Sequence, residues 1–559
     1  MAYLAKAAVF YTTLPAAALF CLADVAMAAS FNLGEATVES IQQGLSSGAV
    51  SCSDITQLYL NRIDAYDDQG PSLNAIIATN PDALSIAAEL DETYATAGPV
   101  GSLHCVPVVL KDNFDTFDIP TTAGALALEG FLTGEDAFQV AGLREEGALI
   151  LAKANLSEFA FAFSTTSSLG GTTVNPYDPI RNPGGSSGGT GAAIAANFGV
   201  LGFGTDTGGS IRVPSSFNSL VGVRPTIGLS SRSGIVPLAL TQDVGGPMTR
   251  TVSDAALALN ATVGFDPEDP ITAESDGNIP EDYTAFLDPD GLQGAKIGVV
   301  RDLFGLDSNP ESAKTTAVIN EAIEELTTLG AEVEDVTIPN LSDILAFPSL
   351  SSFEFKRDLN NYLAKRPVPP SGVRTLEDII DSGLFLEDFE AAYISRNDRP
   401  APEEDPEYIR IITERPALTQ TSLLEALTGL DALIYPSVAS PPNILGEPLA
   451  AGSGNRLSPF SGFPAITVPS GFTEDGLPVG LEFLGRAYDE PTLLKLTYAF
   501  EQGTGLRQPP STTPQLPGEK IPEPRTTGGL ILLAGGAFFW LRKRTRLPDR
   551  STVAKHLEN

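Results

Sequence analysis

Ala465-Ile-Thr-Val468, Asp475-Gly476 and Pro478-Val-Gly-Leu-Glu-Phe483 follow one another within a short stretch of the chain. Two apolar runs flanking Asp-Gly predict a β-hairpin, because that pair accepts the positive dihedrals of the turns that match strand twist. A hairpin demands antiparallel neighbours. Working outward, Ala75-Ile-Ile-Ala78, Val106-Pro-Val-Val-Leu110, Ala148-Leu-Ile-Leu-Ala152, Lys296-Ile-Gly-Val-Val300 and Asp431-Ala-Leu-Ile-Tyr435 are short apolar runs separated by helical periodicity. That alternation predicts an α/β layered fold, and the hairpin makes its sheet mixed. Val38, Ile41 and Leu45, then Ile55, Leu58, Tyr59 and Ile63, are spaced as two amphipathic helices preceding the strands. Residues 340–430 read instead as a helical insertion over the sheet, broken at Arg366-Pro-Val-Pro-Pro370.

Composition permits one large core. Of 559 residues, 42% are apolar and 19% charged, as in ordinary globular proteins, and no internal domain boundary stands out. The net charge of −36 is unevenly placed, with residues 525–559 at +5, residues 1–28 at zero and residues 29–524 at −41. Such a body repels nucleic acid, which is therefore not an expected partner. After Cys21, which lies near the N-terminus, only Cys52 and Cys105 remain. Two cysteines do not make a disulfide scaffold; two unpaired buried thiols are expected, with a single bridge as the alternative. No Cys/His spacing suits a metal, so no zinc site is expected.

The chemistry is concentrated in two glycine-rich blocks. Pro183-Gly-Gly-Ser186-Ser187-Gly-Gly-Thr-Gly191 and Gly204-Thr-Asp206-Thr207-Gly208-Gly209-Ser210-Ile-Arg212 set serines in backbone that glycine makes permissive. The first block lacks the Gly-Lys-Ser/Thr of a phosphate-binding loop. A serine hydrolase is the better reading, yet the chain has only two histidines, His104 and His556. His556 lies in a basic tail and His104 reads as structural, so another base is needed. Lys111, ending Val106-Pro-Val-Val-Leu-Lys111 before Asp112-Asn113, supplies a candidate, since Ser-Lys pairs are a known variant of triad logic. A lone lysine in a turn would ordinarily be a solvated loop residue. To serve as base it must be buried or set beside a cation, so that it gives up its proton near neutrality.

Together these blocks resemble the amidase signature family. The resemblance places a base at Lys111, a serine on a cis peptide bond at Ser186 and the nucleophile at Ser210, with spacings of 75 and 24 residues. It extends from about Phe31 to about Pro510, taking in Gly245-Gly-Pro-Met-Thr-Arg250 and the late hairpin. It implies an α/β/α sandwich around one large mixed sheet and an oxyanion hole at Thr207, Gly208, Gly209 and Ser210. Ser187, Asp206 and Arg212 would brace the loop. No metal or organic cofactor is implied. The expected activity is hydrolysis of a carboxamide C–N bond through an acyl-enzyme, on a small-molecule or peptide amide, releasing ammonia or an amine. The C-terminal half is most similar to a peptide-amidase-like branch, and the helical insertion would shape specificity. Two alternatives stand: an amidotransferase A-type subunit supplying ammonia, or a surface binding protein that kept the fold without activity. Cys105 departs from the glycine usual at its position in relatives.

The two ends read as sorting signals, with an N-terminal anchor or buried helix as the alternative at the first. Residues 1–28 have Lys6, an apolar stretch and small residues at Ala26 and Ala28, the pattern of a cleaved signal peptide. The catalytic domain is expected over 29–509 and a Pro-rich linker over 510–521. Residues 522–546 join Pro522-Glu523-Pro524 to an apolar run at 528–541 and Arg542-Lys-Arg544, followed by a basic tail at 547–559. This order resembles a PEP-CTERM tail, implying transient membrane and exosortase contact; a plain C-terminal anchor is the alternative. The run is shorter than the roughly 20 residues that span a bilayer. An exported enzyme is expected either way.

Overall fold

A computed structural model describes residues 31–306, 308–448 and 454–521. The signal-peptide and PEP-CTERM readings lie outside these residues. Eleven strands form one sheet: β1 (Ile76–Thr79), β2 (Pro107–Lys111), β3 (Leu149–Ala154), β4 (Leu201–Asp206), β5 (Val221–Arg224), β6 (Val244–Thr249), β7 (Lys296–Val299), β8 (Glu332–Asp335), β9 (Ala432–Pro436), β10 (Ala465–Phe472) and β11 (Pro478–Leu484). Their order is β8-β7-β9-β11-β10-β5-β6-β4-β2-β3-β1.

The sheet is mixed, as the hairpin requires. β10 and β11 pair antiparallel across Asp475-Gly476, while β2 lies parallel to both β3 and β4. Strands expected from apolar runs at 75–78, 106–110, 148–152, 296–300 and 431–435 all fall within this sheet. β2 and β3 are buried along their whole length, which is why 106–110 and 148–152 read as continuous apolar runs instead of alternating ones.

Helices cover the sheet. The two amphipathic helices are Val38–Ser46 and Cys52–Ile63, each started by a capping box: Thr37 with Ser40, and Ser51 with Asp54. Those reciprocal bonds satisfy amide groups that a helix start otherwise leaves unpaired. The insertion is helical at Leu341–Ala346, Ser351–Ala364, Leu376–Ser382, Glu390–Asn397 and Pro406–Ala426. It packs on the 123–160 segment through a separate apolar cluster that includes Phe159, Phe355, Leu359 and Tyr393.

Two expectations are corrected here. Residues 510–521 are not a free linker but a strap seated on the body. Lys520–Ile521 pairs with Phe31–Asn32, and buried Arg62 binds Glu519 at 2.9 Å while donating to the Thr513 carbonyl. The strap reads as linker in sequence because its partners lie some 450 residues away. Cys52 and Cys105, expected as free thiols, form a disulfide with their Cα atoms 5.3 Å apart. Cys105 has φ +63°, in the left-handed region that favours glycine. Among the described residues, no helix is long and apolar enough to cross a membrane.

Candidate active site

Lys111 is the last residue of β2, and strand pairing on both sides buries it completely. Its Nζ lies 2.8 Å from Ser186 Oγ and 2.7 Å from Thr205 Oγ1. Asn113 Nδ2 also donates to Thr205 Oγ1, at 3.1 Å. Burial pushes the Lys111 ammonium down to about 7 against the opposing influence of Asp206 and Asp243. A lysine held by hydroxyls alone, without an adjacent carboxylate, is half neutral near pH 7.

The chain turns directly after Lys111 because Asp112 is anchored below it. Asp112 accepts from Thr122 N–H at 3.1 Å and meets buried Lys153 at 3.1 Å. Lys111 thus rests on a rigid strand end, the kind of support that holds a functional side chain in place.

Ser186 follows a cis peptide bond from Gly185, and its carbonyl accepts from Ser157 N–H at 3.0 Å. The helix Gly188–Ala195 begins immediately afterwards. Gly189 is required there, since a Cβ would collide with the Asn155 carbonyl. Ser187 Oγ reaches the Thr205 carbonyl at 3.3 Å, and its N–H donates to the Ser210 carbonyl at 3.3 Å. The two glycine-rich blocks are therefore stitched together through Ser187, one residue from Ser186.

The loop carrying Ser210 is built on Asp206. Its carboxylate accepts from Gly209 N–H at 2.7 Å and Ile211 N–H at 3.2 Å, and pairs with Arg212 at 3.0 Å and Arg224 at 3.2 Å. Burial alone would raise this carboxyl; the two guanidinium groups hold it down to about 2. Arg212 extends the brace to Glu482 at 2.6 Å and to the Asn455 carbonyl at 2.7 Å. Asp206 and Arg212 thus bond to the loop and to each other, with Ser187 beside them.

Gly209 departs from the expected oxyanion hole. Its φ of +134° turns its N–H onto Asp206, so that amide is not available to an oxyanion. Thr207, Gly208 and Ser210 line the cleft instead. A Cβ on Gly208 would meet nothing within 4 Å, so this residue faces open space.

The cleft has a volume near 180 Å³. Phe161, Phe163 and Phe460 supply apolar walls, and the insertion contributes Ser349 and Ser351. Sequence reading had not assigned Thr205, Asn113, Arg224, Glu482 or these aromatics. Thr205 and Asn113 stood inside the quoted motifs. Glu482 stood inside the quoted hairpin, where nothing local linked it to Arg212; Arg224 and the aromatics carried no local signal.

His104 is buried, stacks on Tyr94 at 5.3 Å and accepts from Val100 N–H at Nδ1. Its Nε2 is 3.8 Å from Cys52 Sγ. Cys52, His104 and Cys105 therefore lie within 4.8 Å of one another, a cluster that sequence spacing had not revealed. The sulfurs are bonded to each other, and a metal requires thiolates.

A model described as Amidase matches residues 54–494. A probable amidase from Arabidopsis thaliana is 36% identical over 87% of this chain and 93% of its own. The A-type subunit of glutamyl-tRNA(Gln) amidotransferase from Thermoanaerobacter pseudethanolicus is also 36% identical, over 85% and 97%. The native peptide amidase from Stenotrophomonas maltophilia superposes with a TM-score of 0.79 at 37% identity, over 87% of this chain and 100% of that one. The chain belongs to the amidase signature family.

Proposed function

We propose that this protein is an exported amidase that hydrolyses carboxamide C–N bonds through a Ser210 acyl-enzyme. The observation that carries the reading is the buried contact of Lys111 Nζ with Ser186 Oγ at 2.8 Å. Neutral Lys111 takes the Ser186 proton as Ser186 takes that of Ser210, and Ser210 Oγ adds to the amide carbon. Amides of Thr207, Gly208 and Ser210 stabilise the oxyanion, a contribution of about 3 to 4 kcal/mol per donor. Collapse breaks the C–N bond, and the proton returns through Ser186 to the leaving nitrogen. Water, deprotonated along the same path, then cleaves the ester to release the carboxylic acid.

Peptide C-terminal amides head the candidate substrates because of the likeness to peptide amidase. Near-full-length identity to an amidotransferase component supports a second reading, in which the ammonia released is passed to a partner. Export rests on the sequences of residues 1–28 and 522–546, and the disulfide suits an oxidising compartment.

Purified protein incubated with a fluorophosphonate probe and a panel of peptide, aryl and aliphatic amides tests the mechanism. Labelling and ammonia or amine release should both vanish in Ser210→Ala. A folded wild type that neither labels nor hydrolyses any amide would favour the inactive binding protein. Glutaminase activity that appears only with a partner protein would favour the amidotransferase. Cell fractionation with N-terminal sequencing of the mature protein tests export.

A further inference from the structure

Acidic side chains outnumber basic ones, 70 to 34, so an arginine lacking a carboxylate partner needs a reason. Three such arginines adjoin the Ser210 cleft. Arg456 lines it, exposed, with Nη1 donating to the carbonyls of Leu345 and Phe347 at 3.1 and 3.5 Å. Arg396 lies over the ring of Phe161 at 4.1 Å, and Arg415 over that of Phe460 at 4.0 Å. Both rings are cleft walls.

Among the described residues none of the three has a carboxylate within 4.0 Å, whereas their neighbours Arg357, Arg399 and Arg410 all do. Arg250 and Arg374 also lack one, but each donates to three backbone carbonyls. Arg396 and Arg415 donate to one apiece, and the Nε of each is buried without a partner. Burial lowers both only to about 10, so both are cationic at neutral pH. No acidic side chain lines the cleft among the described residues. Arg456 is the one charged side chain lining the cleft among the described residues.

We propose that the mouth of the cleft is an anion subsite, contacted by Arg456, and that the preferred substrate is a carboxamide bearing a carboxylate near the scissile bond. Only Nη1 of Arg456 is engaged among the described residues, which leaves Nε and Nη2 as a fork for the two oxygens of a carboxylate. In a 180 Å³ cleft the anionic group must lie within a few bonds of the amide. This inference rests on the amidase reading of Ser210.

The test compares kcat/KM for monoamides of short dicarboxylic acids with those of their neutral methyl-ester analogues. Fluorophosphonate titration of Ser210 counts folded active sites in every variant. Wild type should favour the carboxylate by about tenfold, the scale of one charge-assisted contact. Arg456→Ala should collapse that ratio toward one, Arg456→Lys should keep part of it, and Arg456→Glu should transfer preference to an amine-bearing amide. A ratio near one in wild type, or one that Arg456→Ala and Arg456→Glu leave unchanged, overturns the subsite while amide hydrolysis stands. Absence of both labelling and turnover overturns the hydrolase reading and the subsite with it.

Discussion

Lys111 and Arg212 are two fully buried cations serving the same pair of glycine-rich blocks, and their surroundings differ in one respect. Arg212 is clamped between Asp206 and Glu482, and these carboxylates outweigh burial and raise its pKa. Lys111 is held by Ser186 and Thr205 hydroxyls, and burial lowers it to about 7. Buried charge becomes scaffold where carboxylates compensate it. Where only hydroxyls meet it, burial drives it toward the neutral form that the proposed base requires.

The sharpest way to break this contrast is through rate. Ser210→Ala should reduce amide hydrolysis by on the order of 10⁶-fold, as loss of a nucleophile does elsewhere, and Lys111→Met should be comparably inactive. Retention of more than about one per cent of activity in Lys111→Met would remove the lysine from the role of base.

Stability should separate the two cations in opposite directions. Arg212→Met strands Glu482 and half of the Asp206 brace, at a cost of about 3–5 kcal/mol in denaturant unfolding. Lys111→Met should be as stable as wild type or more so at pH 7. Folding there must strip a proton from a lysine whose folded pKa, about 7, lies below the 10.5 of the free side chain. Between those values the unfolded state holds more protons, so wild-type stability attributable to Lys111 rises with pH. The advantage of Lys111→Met should accordingly shrink toward pH 10.

The pH profile tests the same point kinetically. The proposed mechanism needs neutral Lys111, so kcat/KM should fall about tenfold per unit on the acid side of an apparent pKa near 7. A profile flat down to pH 5 would contradict a lysine base. Thr205→Val sharpens this further. Loss of a hydroxyl that accepts from the ammonium should move the acid limb to lower pH and slow turnover by about tenfold; an unshifted limb would make Thr205 merely structural.

Much of the architecture was legible locally. The apolar runs at 106–110 and 148–152 are strands because both faces are covered, so no polar alternation obscures them. Asp475-Gly476 announced β10 and β11 because a turn is decided by its own residues. The catalytic candidates were legible for a similar reason: glycine-rich backbone leaves a signature in adjacent positions. What was missed lay between distant positions, as with Arg456 and the aromatic walls of the cleft.

By itself, the sequence pointed to the α/β class, the mixed sheet and the helical insertion, and through its family resemblance to Lys111, Ser186 and Ser210 as catalytic candidates. Only the tertiary structure decided that Cys52 and Cys105 bond, that residues 510–521 strap the body, that the Gly209 amide belongs to Asp206, and that Arg456 lines the cleft. The physical reason is range. Periodicity and turn chemistry act between neighbours along the chain, whereas the direction of an N–H group or the partner of a guanidinium depends on which distant segments folding brings within a few ångströms.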